Sequence, residues 1–339
     1  MNARGLKTLI TGASGFAGRK LAENEAKRGF EVVGLHDPKE SPELDFESYG
    51  IDIKDGDEVR AFVKKVNPAR VYHLAALSSV RMCQENPSTC FDVNIKGAFN
   101  LLDSLASTGS QIRVVFSSSC EVYGLVESKE QPVKETCLPA PINIYGLSKL
   151  LAEMAFLFYS KKGPENKKDS YDAKMTGKAH NSKENLEVMI ARSFNHTGPG
   201  QEDRFVFPYV ARTLARIEKG LEEPLLKMGN LKTRRDILDV RDVVKAYSAI
   251  MDKGQPGTIY NVTSSRCISI EEGVRMLVEI SKLNVKIQEE ESRMRSYDIP
   301  ELHGDATLAN IDLGWRSELT LEETMKDLLH YWRTKEGVI

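Results

Sequence analysis

Residues Lys7 to Gly18, KTLITGASGFAG, run an apolar strand directly into three glycines and then into helix-forming sequence. A junction of this kind needs glycine. The backbone turns sharply there and must come close to whatever sits on the helix N-terminus, where unpaired N–H groups favour an anion such as a pyrophosphate. Gly12, Gly15 and Gly18 are spaced GxxGxxG, a variant of the dinucleotide fingerprint, with a helix expected at about 18–28. The rest of the chain keeps the same rhythm. Apolar runs at Glu31–Leu35, Arg70–Ala76, Val114–Phe116, Leu186–Arg192 and Gly257–Thr263 alternate with helical patterns at about 58–66, 90–106, 145–159, 208–219 and 240–252. Alternation of this kind predicts an α/β fold with a doubly wound parallel sheet.

At 339 residues the chain can build one large or two modest domains, and 41% hydrophobic with 28% charged residues is ordinary globular composition. A formal net charge of -2 supplies no global field for nucleic acid or an anionic membrane. No apolar run approaches the roughly 18 to 20 residues of a spanning helix, and the N-terminus lacks the apolar core of a signal peptide, so the expectation is a cytoplasmic protein. The five cysteines, Cys83, Cys90, Cys120, Cys137 and Cys267, are odd in number and lack CxxC spacing, which fits reduced thiols better than a disulfide frame or a metal site.

The candidate chemistry gathers between Ser119 and Lys149. Ser119 closes an apolar run that reads as a buried strand, and catalytic side chains in open α/β sheets sit at such strand ends. Tyr145 and Lys149 stand at i and i+4, so a helix over 145–159 puts phenol and ammonium on one face. A neighbouring cation is expected to lower the tyrosine pKa toward the range of a general acid or base, with Ser119 offering a hydrogen bond to a substrate oxygen beside it.

Elsewhere, Asp37 stands 19 residues after Gly18, where an acid hydrogen-bonds an adenosine ribose, favouring NADH over NADPH. Asp52 and Ile53 are expected near the adenine. His73 reads as a core histidine. Asn94 faces inward, either tying the helix backbone or ordering a water near Lys149. Residues 161–185, with seven lysines, predict a mobile surface loop. The loop SFNHTGPGQ at 193–201 is a place for substrate contacts. Arg234, Arg235, Arg293 and Arg295 suit a diphosphate, because the guanidinium fork matches its oxygens.

Taken together, TGASGFAG, HLAA, FSSSCEVYG, YGLSK and FNHTGPGQ resemble the extended short-chain dehydrogenase/reductase family, in its nucleotide-sugar branch. Within that branch FNHTGPGQ, GNLKTRRDILDVRDVV, GQPGTIYNV and the RMRSYDIP to LGW tail resemble the GDP-4-keto-6-deoxymannose reductases. The resemblance implies a Rossmann-type domain from 1–192 plus about 236–263, and a smaller C-terminal α/β nucleotide-sugar domain from about 193–235 plus 264–339. It implies Ser119, Tyr145 and Lys149 as the catalytic trio, with Glu121 beside them. It places the cofactor against Gly12, Gly15, Phe16, Gly18, Asp37, Asp52, Ile53, Leu74, Ala75, Ala76 and Asn94. The sugar nucleotide, GDP-linked, falls to Ser79, Asn195, His196, Arg235, Arg295 and Asp298.

The implied reaction is NAD(P)H-dependent reduction of the C4 ketone of GDP-4-keto-6-deoxy-D-mannose to GDP-D-rhamnose, without a metal. A homodimer through the 94–106 and 146–159 helices is implied as well. A 4,6-dehydratase or 4-epimerase is the alternative, since a dehydratase places a glutamate where Glu121 stands. The chain departs from dehydratases in having Gly198-Pro199-Gly200-Gln201 for a SPRRGE-like stretch, and His36-Asp37-Pro38 for an arginine-rich loop. A dinucleotide-bound scaffold without catalysis is a third reading, since fold alone does not give function.

Overall fold

The computed structural model describes residues 6–160, 185–294 and 298–339. All but Asn185 of the expected surface loop therefore lies outside the described residues, and so does Arg295. Seven parallel strands form the central sheet: β1 (Lys7–Thr11), β2 (Glu31–His36), β3 (Glu47–Gly50), β4 (Arg70–His73), β5 (Ile112–Ser119), β6 (Leu186–Ser193) and the strand Ile259–Val262. Their order is Ile259–Val262, β6, β5, β4, β1, β2, β3. The winding reverses between β1 and β4, where Thr11 and His73 are in register, and the carboxyl ends there open a crevice. Leu9, Ile10, Val114 and Val115 are wholly buried, as expected of strands covered on both faces.

Helix α1 (Phe16–Lys27) starts two residues before the expected position, because Gly15 is extended and acts as its N-cap. Gly18 thus falls in the first turn, where a Cβ would stand 2.1 Å from the Gly12 carbonyl oxygen. Gly12 itself has φ +72° and no room for a side chain, a Cβ meeting the Ala75 nitrogen at 2.8 Å. That turn also ends β4 early. Leu74 donates its N–H to the Thr11 carbonyl at 3.1 Å and Ala75 to the Thr11 hydroxyl at 3.2 Å, so Leu74 to Ala76 leave the expected strand as a loop.

The single helix expected over 90–106 is three pieces: α4 (Pro87–Phe91), a π-helical turn (Asp92–Lys96) and α5 (Gly97–Ser107). The wider turn points Asn94 inward, where it both donates to and accepts from the main chain of Leu77, at 3.2 and 2.7 Å. Gly97 follows because a Cβ there would lie 2.8 Å from Ile53. The Ile53 side chain is accordingly part of the core. Helix α2 (Gly56–Val66) packs on α5, and α3 (Val80–Glu85) precedes α4.

Beyond the sheet, helices Val206–Glu218, Ile270–Ser281 and Leu321–Lys335 enclose a separate apolar cluster around Phe207, Leu214, Leu277, Leu328 and Trp332. The expected loop at 193–201 contains a short strand, Asn195–Thr197, paired with Ile237–Asp239. Arg234–Arg235 lies between Ile268–Ser269 and Glu301–Leu302.

Gly18→Ala tests the turn. The helix-propensity gain of about 1 kcal/mol is smaller than the cost of forcing a methyl against fixed backbone, so a net loss on the order of 2 kcal/mol is expected. A fall in the urea unfolding midpoint is the readout; an unchanged midpoint would refute the steric argument.

Candidate active site

Strand β5 delivers Ser119 to the crevice in extended conformation, and its Oγ accepts the N–H of Glu121 at 3.2 Å. A 3-10 turn, Cys120–Val122, then carries the chain toward α6 (Ile144–Tyr159). Two contacts fix where α6 begins. Asn143 caps it by accepting the Gly146 N–H at 2.8 Å, and donates from Nδ2 to Glu121 Oε2 at 2.8 Å. Gly146 passes so close to the Glu121 carbonyl that a Cβ would sit 2.5 Å from it. Tyr145 is thereby held beside Ser119, and the expected helix and spacing are both present.

The electrostatics differ from the expectation. Burial pushes the Tyr145 phenol pKa up rather than down, with the Glu121 carboxylate adding to the rise and a hydrogen bond to Ser119 opposing it. The charges and hydrogen bonds that act on the phenol come from Ser119, Glu121 and their neighbours, while the Lys149 ammonium lies over the Phe116 ring, 4.6 Å from the centroid. Lys149 is 3% exposed, and burial pulls its pKa down to about 8 against the opposing charge of Glu153. Among the described residues its ammonium has no hydrogen bond or ion pair.

Two residues overlooked in the sequence stand behind Lys149. Glu153 continues the i, i+4 stripe of Tyr145 and Lys149 by one more turn. Its carboxylate is gripped by Arg192 of β6, Nε to Oε1 at 3.0 Å and Nη2 to Oε2 at 2.8 Å, in a pair almost wholly out of water. The stripe was readable as spacing; its partner on a distant strand was not. Arg192 in turn lies over the Tyr123 ring, whose hydroxyl donates to Asn261 at 2.7 Å. On the other side, Asn94 donates to the Ser148 hydroxyl at 2.9 Å, so it ties helix to helix as well as to the Leu77 loop. His73 is a core residue as expected, bonded to Thr11 Oγ1 at 2.7 Å and kept neutral by a pKa lowered to about 3, by burial first and Lys149 second.

At the other end of the crevice, Phe16 stacks on His196 with centroids 6.1 Å apart. The glycine turn and the Asn195–Thr197 strand are thus joined by a ring pair. His196 Nδ1 bonds the Phe194 carbonyl at 3.1 Å, burial lowers its pKa, and Asn195 is exposed. Asp37 is exposed just past β2, its carboxylate accepting the Lys39 N–H at 2.9 Å. Asp52 similarly accepts from Lys54 N–H, at 3.0 Å. Ser79 caps α3 through the Met82 N–H at 3.3 Å. Arg235 and Asp298 come together, but as an ion pair with each other at 2.9 Å. Arg293 stacks over Tyr209 and faces Glu290 at 3.4 Å.

The residues present fit a dinucleotide. Gly15 leaves the N-terminus of α1 without a side-chain cap or a first-turn acid, so its N–H groups can meet an anion. Among the described residues the ammonium of Lys149 has no hydrogen-bond acceptor, and ribose hydroxyls would provide one.

The pattern of the NAD dependent epimerase/dehydratase family matches residues 8–263. The chain belongs to this family. Among its relatives, GDP-6-deoxy-D-mannose reductase of Pseudomonas aeruginosa is 29% identical, over 97% of this chain and 98% of that one. GDP-mannose 4,6-dehydratase of Vibrio cholerae is 27% identical over 95% and 92%. The solved structure of RMD from Pseudomonas aeruginosa complexed with NADPH superposes with a TM-score of 0.79 at 28% identity, covering 97% of this chain and 99% of that one. UDP-glucose 4-epimerase of Thermotoga maritima gives 0.81 at 26%, covering 98% and 100%. The extended short-chain dehydrogenase/reductase resemblance and the Rossmann-type sheet are therefore correct.

A buried ammonium carries a stability signature. With its folded pKa near 8 below an unfolded value of 10.5, Lys149 destabilises the fold fully at pH 7, and the penalty fades as pH rises from about 8 to 10.5. Lys149→Met is expected to unfold at higher urea than the parent at pH 7, by on the order of 3 kcal/mol. The gap should narrow by pH 9.5, and a gap that stays constant with pH would show that Lys149 is not the source.

Proposed function

We propose that this chain reduces the C4 ketone of GDP-4-keto-6-deoxy-D-mannose to GDP-D-rhamnose using NAD(P)H. The observation that carries the reading is the hydrogen-bonded pairing of Tyr145 with Ser119 at the end of β5, with the Lys149 ammonium one turn further along α6 over the Phe116 ring. End-to-end similarity to a GDP-6-deoxy-D-mannose reductase supports the substrate. When bound, the reduced nicotinamide supplies a hydride. The raised pKa of Tyr145 suits the complementary step, since the phenol is protonated at neutral pH and can give its proton to the carbonyl oxygen. Ser119 steadies that oxygen by hydrogen bonding, and Lys149 holds the nicotinamide ribose with its ammonium beside the phenol.

Glu121 is the residue on which the dehydratase alternative turns, because that reaction needs a free base at C5. Here its carboxylate accepts from Asn143 and fixes the start of α6, which favours the reductase. The nucleotide falls to Gly12, Gly15, Phe16 and Gly18, with Leu74 to Ala76 across the crevice. Asp37 at the end of β2 favours an unphosphorylated ribose, whereas the RMD structure from Pseudomonas aeruginosa holds NADPH, so both cofactors belong in the assay. Arg235 would exchange Asp298 for the substrate diphosphate, with Asn195 and His196 at the sugar.

The domain division given above, at 192, 236 and 263, accompanies this reading, as does a cytoplasmic location. No helix among the described residues is long and apolar enough to cross a membrane. Partner choice is a second copy of the chain. Phe99 of α5 and Leu147, Leu151 and Met154 of α6 are exposed apolar side chains on the two helices that the homodimer reading uses.

The deciding measurement follows absorbance of the reduced nicotinamide with GDP-4-keto-6-deoxymannose, in parallel with GDP-mannose and no reductant. Cofactor consumption matched to ketone loss is expected, and Tyr145→Phe should lower the rate by roughly 100- to 10,000-fold while still binding cofactor. Conversion of GDP-mannose to the keto sugar without net consumption would instead establish the dehydratase. Full activity in Tyr145→Phe would remove the assigned acid.

Leu151→Glu with Met154→Glu is expected to halve the solution mass by light scattering. A parent protein that is already a monomer would overturn the dimer.

A further inference from the structure

Two of the five thiols lie against each other in a place the reduction does not use. Cys83 of α3 and Cys90 of α4 are wholly buried, and Cys90 Sγ donates to Cys83 Sγ at 2.7 Å. Cys83 Sγ passes the chain on to the Leu77 carbonyl at 3.3 Å. The Cys90 sulfur also receives Asn94 Nδ2 at 3.4 Å and lies 3.5 Å from Ser148 Oγ. Ser148 adjoins Lys149 and donates to the Tyr145 carbonyl at 2.8 Å. Sulfur chemistry at Cys90 is therefore one hydrogen bond away from the turn that carries phenol and ammonium.

We propose that Cys83 and Cys90 are a redox-active dithiol that closes to an intramolecular disulfide and in closing perturbs the Tyr145–Lys149 turn through Asn94 and Ser148. The environment favours Cys90 as the attacking sulfur. Hydrogen bonding of Cys90 with Cys83 first, then with Ser148, and the Lys149 charge pull its pKa below the ordinary thiol value against burial, while the Cys83 thiol is pushed up. With hydrogen peroxide as oxidant, the Cys90 thiolate attacks one oxygen, the O–O bond breaks, and water leaves with a proton to give a sulfenic acid. The Cys83 sulfur then attacks the Cys90 sulfur, the S–O bond breaks, and a second water leaves. Two thiols are oxidised by two electrons and one peroxide is reduced to two waters. Closure removes the Cys83 donor from the Leu77 carbonyl, which Asn94 also bonds, and draws away the Cys90 sulfur that Asn94 and Ser148 both meet. Both thiols are wholly buried, but they are carried by helices of only six and five residues, whose local opening would admit a small oxidant.

The sequence permits a direct test. Trypsin cuts after Arg81 and Lys96 and nowhere between, so one peptide, Met82–Lys96, contains both sulfurs. Folded protein is treated with peroxide, quenched, denatured and alkylated without reductant, then digested and weighed. The expected peptide has lost two hydrogens, carries no alkyl group, and returns to doubly alkylated after dithiothreitol. Turnover should fall several-fold with closure, recover with dithiothreitol, and resist peroxide in Cys83→Ser. Peptide that alkylates twice after peroxide, or gains oxygen instead of losing hydrogen, overturns the dithiol. Closure without change in turnover, or equal inactivation of Cys83→Ser, overturns its link to Lys149. The thiol arm needs no substrate, so it stands or falls independently of the ketone reduction.

Discussion

Keeping a primary ammonium almost dry inside an α/β sheet is the constraint to which the surrounding structure answers. Lys149 is 3% exposed, and a cation in that position is costly unless something nearby offsets it. The Phe116 ring presents its negative face to the ammonium, worth about 1 to 2 kcal/mol when water is excluded. One turn further along, Glu153 contributes opposite charge, and Arg192 prevents that carboxylate from being an orphan in its turn. A dehydrated lysine and a dehydrated ion pair are thus parts of one arrangement, in which removing Glu153 or Arg192 alone would leave a buried charge uncompensated.

The same arrangement separates the roles of phenol and ammonium. Tyr145 keeps its proton, because burial and the Glu121 carboxylate oppose ionisation more strongly than Ser119 assists it. Under the proposed reduction, a protonated phenol is suited to giving a proton to an oxygen that is gaining electrons. The Asn143–Glu121 bond and the tight passage of Gly146 hold this geometry before any ligand arrives, so positioning is built into the helix start.

Sequence spacing was informative wherever a function is local. The glycine turn, the strand ending at Ser119 and the Tyr145–Lys149 step each lie within one strand, turn or helix, and the alternation of elements gave the sheet. What stayed hidden depends on contacts between distant segments. The Glu153–Arg192 pair joins residues 39 apart, Arg235 and Asp298 are 63 apart, and the Phe16–His196 stack spans more of the chain still. The π-helical turn at Asp92–Lys96 was hidden for another reason, since its extra residue is selected by the Leu77 main chain that Asn94 must satisfy, and periodicity within the helix does not reveal it. The pKa of Tyr145 was read with the wrong sign because spacing places a cation near a phenol but says nothing about how much water reaches either.

The sheet's outermost strand beside β6 is Ile259–Val262, contributed after a long excursion through the helices and small sheets that follow Ser193. During synthesis β6 therefore emerges with one edge unpaired, and stays so until some seventy further residues have left the ribosome. For that interval an almost wholly buried strand offers its open N–H and C=O groups to any other extended chain. The topology makes the nascent protein depend on its own late segment, and chaperone occupancy or slowed translation between these two points would decide how much of it reaches the native sheet.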